Sequence, residues 1–187
     1  MVNVDFRSIL NQAVAPTDRP VAATVIEALL AAEKTTKDDR NQFPQDSLYG
    51  TWRLYFVTSG KVKLGDKRLR GFYIPKLLPA TIAFAPSEEN PIAVTNQVNV
   101  GLITLLLRGP ARYEAAKNIL PFDFTRLEVK ILGQTIYNGK FPGPREGLVF
   151  SEIAIAKLPF FAFFQVNDRF IAARGRGGGL AMWVKQD

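Results

Sequence analysis

Two hydrophobic periods divide the chain, one typical of helices and one typical of strands. Residues 4–14 carry apolar side chains near helical spacing, and a second helical pattern starts with Asp18 as a candidate N-cap and Pro20 in the first turn. The apolar stripe of this second pattern consists of Val21, Val25, Ile26, Leu29, Leu30 and Ala32. We therefore expect two antiparallel helices over roughly residues 4–36, followed by a polar linker.

From Tyr49 onward the apolar positions recur with period two, and prolines separate the short apolar runs. The pattern predicts strands over residues 51–58, 69–75, 80–85, 92–100, 102–109, 124–132, 134–138, 147–156, 160–166, 169–174 and 179–185. Many short strands with tight turns favour an antiparallel barrel or sandwich. The predicted class is mainly β (α+β). A helical segment of residues 1–46 packs on the β-structure of residues 47–187, in one structural domain overall.

The segment GTWRLYFVTSG is apolar on both faces of its predicted strand. Trp52, Leu54 and Phe56 alternate against Tyr55 and Val57. We expect one face to line the interior of the β-structure and the other to receive the N-terminal helices. A barrel of about eight strands either fills its interior with side chains or holds one small ligand. The pattern leaves both alternatives open.

The overall charge and two missing residue types limit the possible chemistry. The 187 residues have a formal net charge of +7, which favours anionic partners such as acidic lipid headgroups, nucleic acid or an acidic protein. The chain contains no cysteine and no histidine, which excludes disulfides, thiolate metal sites and histidine-dependent nucleophiles. We expect no cofactor, no signal peptide and no membrane-spanning helix, since the longest apolar stretches are well short of about 20 residues.

Three stretches carry a resemblance to a known family. LYGTWRLYFVTSG contains the Gly-x-Trp of lipocalin-type barrels, IAVTNQVNV and LLLRGPARYE form the middle, and VNDRFIAARGRGGGLAMWVK is the last. Together they resemble the plastid lipid-associated proteins, also called fibrillins or plastoglobulins, over roughly residues 15–187. The matching positions are Gly50, Trp52, Arg174, Gly175, Gly177 and Gly178. Arg176 stands where the family usually has an acidic residue, so a role of that acid is not expected in this chain.

The resemblance implies a lipocalin-like antiparallel β-barrel preceded by an N-terminal helical hairpin. It also implies a non-catalytic protein that binds lipids or other small apolar molecules, such as carotenoids, quinones or acyl lipids, and supports photoprotection. Proteins of this family associate with thylakoid membranes and lipid droplets. The expected location is therefore the cytoplasmic side of a cyanobacterial thylakoid membrane, or a plastid for a processed form. No catalytic residue set is agreed for the family, and none is carried over.

The candidate ligand-binding residues are aromatic, aliphatic or basic positions of the predicted barrel strands. They are Trp52, Leu54, Phe56, Phe160, Phe164 and Arg174. In a lipocalin-like barrel Trp52 would close the narrow end, and we expect Arg174 to stack over its ring for about 0.5–2 kcal/mol. The phenylalanine-rich strand PFFAFFQV would offer a flat apolar lining for a polyene, a quinone or an acyl chain. The alternative is that these residues pack as core.

A second candidate site combines basic and apolar residues of the segment that follows the first strand. Its members are Lys61, Lys63, Lys67, Arg68, Arg70, Lys76, Leu77 and Leu78. Each cation near an anionic membrane contributes about 1 kcal/mol of attraction, and the apolar residues would insert shallowly or gate a cavity mouth. The alternative is a solvated hairpin whose Phe72 and Ile74 face the core. The site predicts peripheral binding to an anionic membrane surface.

Other functions remain open. A bilin lyase would share a Gly-x-Trp barrel, although the chain lacks histidine and an acid–base constellation. A basic surface-interaction protein with a filled barrel is a further alternative. Nucleic-acid binding is not expected, because no strand carries the basic and aromatic pattern of RNA-binding sheets. The run RGRGGG predicts a hairpin turn rather than a phosphate loop, because a strand follows it.

Overall fold

In the described part of the chain, two α-helices precede the sheet. The computed structural model describes residues 5–63, 65–66, 69–88, 91–141 and 148–186. Helix α1 spans Phe6–Ala13, helix α2 spans Ala22–Asp38, and the two helices contact each other. Asp5 caps α1, because its carboxylate accepts hydrogen bonds from the backbone N–H groups at the start of that helix.

The start of α2 differs from the prediction. Asp18 is not the N-cap, since it has φ 54° in the left-handed region and lies in the turn between the helices. Its carbonyl accepts a hydrogen bond of 2.8 Å from Gln12 Nε2, which holds the turn. Val21 occupies the N-cap position and makes no side-chain hydrogen bond to the helix. Pro20 therefore precedes the helix instead of lying in its first turn.

Antiparallel strands make up the rest of the fold, and the predicted mainly β class is confirmed. The strands are β1 (Gly50–Thr58), β2 (Gly71–Tyr73), β3 (Ala80–Ala85), β4 (Ile92–Val100), β5 (Ile103–Ala111), β6 (Ile119–Pro121), β7 (Arg126–Ile131), β8 (Gln134–Lys140), β9 (Phe160–Val166), β10 (Phe170–Gly175) and β11 (Leu180–Lys185). Their order in the sheet is β6-β9-β10-β11-β1-β3-β4-β5-β7-β8, with β2 paired to β1.

One predicted strand, over residues 147–156, is wrong in its described part. The 3-10 helices Phe150–Glu152 and Ile155–Lys157 occupy this segment, whose first residue lies outside the described residues. Arg112 donates two hydrogen bonds of 2.7 Å to backbone carbonyls of the segment, which then need no sheet partner. Two further 3-10 helices span Gln45–Leu48 and Ala115–Lys117.

The strand ladders of the described residues do not close into the predicted barrel. The path of paired strands runs from β6 to β8 without returning to its start. Two isolated bridges, Ala111 with Phe122 and Glu114 with Ile119, nevertheless hold the region of β6 beside the end of β5. Strand β5 therefore pairs with β7 along its first part and meets β6 at its end, while β7 and β8 extend the sheet beyond that meeting.

The core has two layers, one on each face of the sheet. Residues of β10 alternate between them: Phe170 and Ala172 belong to one layer, Ile171 and Ala173 to the other. The first layer, called the helix-facing layer, includes Leu10, Ile26, Leu29, Phe56, Phe164 and Phe170. The second, called the inner layer, includes Leu48, Trp52, Ile82, Phe84, Ile92, Leu120, Phe163 and Trp183. The helices thus pack on the outer face of the sheet.

A bulge in β1 changes the face on which its side chains lie. The register with β11 shifts between Leu54 and Phe56. An extra residue at a bulge reverses the alternation of the following side chains. Trp52 therefore belongs to the inner layer, whereas Tyr55 and Phe56 both belong to the helix-facing layer. The expectation that Phe56 shares a face with Trp52 is wrong for this reason.

Candidate functional site

The inner layer around Trp52 is packed. Trp52 is fully buried, and its Nε1 donates a hydrogen bond of 2.8 Å to the carbonyl of Leu48. The ring of Phe161 lies 5.2 Å from that of Trp183 and 5.1 Å from that of Phe122. The cavity volume among Ile82, Phe84, Phe161, Phe163, Ile171 and Trp183 is about 0 Å³. Small-molecule pockets usually measure about 300–1,000 Å³, so this space is a packing gap of the core.

Lys185, rather than Arg174, lies over the ring of Trp52. The Lys185 ammonium is 4.3 Å from the ring centroid, and it donates a hydrogen bond of 2.9 Å to the carbonyl of Tyr49. Trp52 and Lys185 are direct partners across the ladder between β1 and β11. The predicted stack of Arg174 on Trp52 is therefore wrong, because the cross-strand neighbour already covers the ring.

Arg174 points to the opposite face and forms an ion pair with Glu33 of α2. Its Nε lies 2.8 Å from one carboxylate oxygen and its Nη2 lies 2.6 Å from the other, which is a bidentate geometry. Its Nη1 donates to the carbonyls of Val62 and Gly178. Arg174 follows Phe170 and Ala172 at even spacing on β10, so it shares their helix-facing side.

The ion pair sets the charge state of Glu33. Burial by itself raises the pKa of this carboxyl, but the hydrogen bonds from Arg174 and Lys37 outweigh burial and lower the pKa below its ordinary value of 4.5. The carboxylate is therefore held ionised between two cations. Within the described residues, the role of this ion pair is structural, because it joins α2 to the sheet.

The other predicted ligand-binding residues divide between the two layers. Leu54 is half-buried and packs against the inner layer. Phe164 is the extra residue of a bulge, since Gln165 and Phe163 pair with consecutive residues of β10, and it faces the helices. Phe160 is half-buried opposite Pro121 at the end of β6. Aromatic side chains at both faces of β9 thus act as core.

The inner face of β4, β5, β7 and β8 continues beyond the packed layer as an apolar surface that is open to solvent. Ile92 and Val94 belong to the inner layer, so Val100 projects from the same face of β4. Cross-strand pairing links Val100 to Ile103, Ile103 to Ile131, and Leu105 through Val129 to Tyr137. We call Val100, Ile103, Leu105, Ile131 and Tyr137 the open apolar face; each is between 38% and 53% exposed.

The outer face of the same strands is mainly polar, although the buried Leu106 also lies on it. Its residues include Gln97, Asn99, Thr104, Arg108, Arg126, Glu128 and Lys130. Glu128 lies 3.3 Å from Arg108 and 3.2 Å from Lys130. A sheet whose polar side faces water normally buries its apolar side, so the open apolar face is suited to contact with something apolar.

Three exposed leucines lie at the tips of neighbouring turns and line one pocket together with Asn99 and Thr104. Leu77 precedes β3, Leu102 joins β4 to β5, and Leu132 joins β7 to β8; their exposures are 91%, 66% and 70%. The backbone N–H of Leu132 donates to the carbonyl of Leu102 at 2.9 Å, and that of Asn99 donates to Pro79 at 3.1 Å. We call Leu77, Leu102 and Leu132 the leucine tips.

Leu132 is an unusual choice for its turn. It has φ 52° and is followed by Gly133 with φ 79°. Tight hairpin turns with two positive φ values strongly prefer Asn-Gly or Asp-Gly, because the left-handed region crowds the Cβ of other residues. The protein thus exposes a leucine where a polar residue would suit the backbone better.

The predicted membrane-facing residues lie at the same end of the sheet as the leucine tips. Strand β1 ends where its antiparallel neighbours β3 and β11 begin, so the segment after β1, the leucine tips and the glycine turn between β10 and β11 share one end. Lys61, Lys63, Arg70, Lys76, Leu77 and Leu78 are all exposed. Lys67 and Arg68 lie outside the described residues.

The predicted glycine turn is confirmed. The backbone N–H of Gly178 donates to the carbonyl of Gly175 at 2.8 Å, and Gly178 has φ +86°. Arg176 is exposed at this turn.

Sequence reasoning missed Leu102, Leu132 and the open apolar face. Each of these two leucines stands beside a glycine in a two-residue turn, GL and LG, where a polar residue is usual. That local mismatch was the available signal. The exposure of Val100, Ile103 and Ile131 was not readable, because their alternation is that of an ordinary half-buried strand.

The described residues contain no group of three or more acidic side chains placed to hold a metal ion. In the same part of the chain, no helix has the length and apolar character needed to cross a membrane. No protein-family model matches the chain, and no curated protein is significantly similar to it in sequence. The resemblance to the fibrillins therefore stays a prediction.

Proposed function

We propose that this chain is a non-catalytic, peripheral lipid-binding protein that places its leucine tips and open apolar face on lipid. The observation that carries the proposal is the group of three exposed leucine tips in neighbouring turns, at the end of the sheet where the open apolar face is also exposed. The exposed side chains of the opposite face are mostly polar, so the open apolar face is the side better suited to lipid.

The energy of such docking is substantial for a small surface. Full transfer of one leucine side chain from water to an apolar medium contributes about 1.5–3 kcal/mol. Lys76 is exposed beside Leu77 and adds about 1 kcal/mol near an anionic surface. The turns that carry the leucine tips, PKLLP, GL and LG, contain a lysine and no carboxylate. An anionic membrane surface therefore fits the charge of this end of the molecule.

A small apolar ligand, in this proposal, lies against the open apolar face. The cavity volume among Ile82, Phe161 and Trp183 of the inner layer is about 0 Å³, so a carotenoid, quinone or acyl chain does not fit there. The packed inner layer also favours a protein whose interior is filled and which acts through its surface. It gives no support to a bilin lyase. The resemblance to fibrillins extends the proposal to thylakoid membranes or lipid droplets and to a role in photoprotection.

The test is co-sedimentation with phosphatidylcholine vesicles, with and without phosphatidylglycerol. The triple variant Leu77→Ser, Leu102→Ser, Leu132→Asn should partition into the vesicle pellet at least about a hundredfold less than the native chain. Leu132→Asn suits the left-handed turn, and Leu77 and Leu102 are largely exposed, so the triple variant is expected to fold like the native chain.

The matched control is Leu148→Ser with Val149→Ser. These two side chains are 62% and 59% exposed, and Arg112 ties the adjacent Phe150 to the other end of β5. The control should bind vesicles like the native chain. Equal binding by the native chain and the triple variant would overturn the proposal. It would also be overturned if the native chain bound neither type of vesicle.

A further inference from the structure

A groove on the helix-facing side of the sheet has a cationic rim. It lies between α2, the segment after β1 and the turn between β10 and β11, and its volume is about 430 Å³. That volume is within the usual range of small-molecule pockets, about 300–1,000 Å³. The lining residues are Leu30, Glu33, Lys34, Lys37, Asp38, Lys61, Val62, Lys63, Arg174 and Gly178. We call this space the cationic groove.

Arg174 positions the three walls of the cationic groove. It binds Glu33 of α2, the carbonyl of Val62 after β1 and the carbonyl of Gly178 in the glycine turn. The side chains of Glu33 and Arg174 are only 9% and 21% exposed, so the walls are held by a largely desolvated ion pair. The groove is therefore a built feature of the fold rather than a gap between loose side chains.

The balance of charge in the groove is positive. Five cations line it, Lys34, Lys37, Lys61, Lys63 and Arg174, against the two carboxylates Glu33 and Asp38, which leaves 5 − 2 = +3. Lys34 pairs with Asp38 at 2.7 Å, and because both side chains are exposed this pair contributes little. Lys37 pairs with the buried carboxylate of Glu33 at 2.8 Å.

Two lysines of the rim have ammonium groups without an ion-pair partner among the described residues. Lys61 and Lys63 are exposed, and neither ammonium forms an ion pair with a described residue. The alkyl stem of Lys61 lies against the turn at Gly178, where an added Cβ would be 2.7 Å from Lys61 Cγ. This contact places the Lys61 side chain along the groove wall.

The floor of the groove is apolar. Leu30 and Val62 are 6% and 3% exposed, and the alkyl stems of the lysines add further apolar surface. We infer that the cationic groove binds a single-chain anionic amphiphile. The lysines of the rim hold its carboxylate or phosphate head group, and its alkyl chain lies on Leu30 and Val62. This site is separate from the leucine tips and goes beyond the proposed docking on lipid.

The test is calorimetric titration of the full chain with dodecyl phosphate below its micelle concentration. Binding should be at least about tenfold tighter than that of the neutral dodecyl maltoside and of inorganic phosphate. The double variant Lys61→Gln with Lys63→Gln should bind dodecyl phosphate with an affinity at least about tenfold lower than that of the native chain. The charge-matched control, Arg126→Gln with Lys157→Gln, should leave it unchanged because neither residue lines the groove.

Three outcomes would overturn the inference. The two double variants could have equal affinity for dodecyl phosphate, the native chain could bind dodecyl maltoside as tightly as dodecyl phosphate, or the native chain could show no detectable binding of dodecyl phosphate. The leucine-tip variant separates this site from the proposed function. It should keep its affinity for dodecyl phosphate even where it no longer sediments with vesicles. If the variant Lys61→Gln with Lys63→Gln binds monomeric dodecyl phosphate more weakly but still binds phosphatidylglycerol vesicles, the groove binds free amphiphiles. If its binding to phosphatidylglycerol vesicles is weakened as well, the groove binds membrane headgroups.

Discussion

At the scale of single residues, the bond between Arg174 and Glu33 has the widest structural consequences. It joins α2 to the sheet and, through the carbonyls of Val62 and Gly178, to two turns. Removal of one partner of a desolvated ion pair leaves the other charge uncompensated, which costs more than the pair contributes. Lys37 can only partly replace Arg174 because its ammonium is exposed.

Glu33→Gln is expected to lower the free energy of unfolding by about 2–3 kcal/mol, because it leaves the Arg174 guanidinium half-paired near apolar side chains. Urea denaturation measures the change. Glu27→Gln, an exposed position of the same helix, is the control and should change stability by less than about 0.5 kcal/mol. Equal effects of the two substitutions would contradict the structural role of the ion pair.

The same pair predicts an acid-labile contribution to stability. The pKa of Glu33 is lower in the folded chain than its ordinary value of 4.5, so the folded state binds the proton less well than the unfolded state. This contribution is complete above about pH 4.5 and is lost as the pH falls through the folded-state pKa. Urea midpoints measured down to about pH 3 should fall more steeply for the native chain than for Glu33→Gln; parallel curves would refute the assignment.

At the scale of elements, the point where β5 leaves β7 and meets the region of β6 decides which apolar side chains stay covered. Gly109 lies at this point, and a Cβ there would be 1.9 Å from the carbonyl oxygen of Asp123. Only glycine lets the two backbones approach so closely. Before this point β5 lies beside β7, whose inner face is open; beyond it the bridges to the region of β6 keep side chains such as Ala111 buried.

Gly109→Ala is expected to destabilise the chain by about 2–4 kcal/mol, since the new methyl group meets backbone that cannot move aside cheaply. Gly177→Ala is the matched control, because an added Cβ at Gly177 meets nothing within 4 Å. Thermal unfolding followed by circular dichroism compares the two. A melting temperature of Gly109→Ala equal to that of the control would show that the close approach at Asp123 is not required.

At the scale of the whole molecule, the antiparallel order of strands gathers the distinctive features at one end. The leucine tips, the exposed lysines after β1 and the glycine turn beside the cationic groove all lie where β1, β4, β7 and β10 end. An anionic lipid surface that meets the leucine tips would bring head groups near Lys61 and Lys63. The two proposed sites are thus compatible with one orientation on lipid, although each is tested separately.

The sequence by itself determined the kinds of elements and most of their positions. Helical spacing in the first part and period two from Tyr49 onward are local signals, and they agree with α1, α2 and most of the observed strands. The exposed basic residues and Leu77 were also found, because lysines and turn-forming prolines mark surface segments in any fold.

Only the tertiary structure decided which face each side chain occupies and which partner it meets. The bulges at Tyr55 and Phe164 reverse the alternation, and a bulge leaves no clear mark in an apolar run. Arg174 contacts Glu33 and Lys185 contacts Trp52, and in each pair the two residues are more than a hundred positions apart in the sequence. Over such separations the strand register, and not the composition, determines which residues become neighbours. The open apolar face depends on how far β7 and β8 extend past β6, which is set by strand pairing and not by the pattern of any one strand.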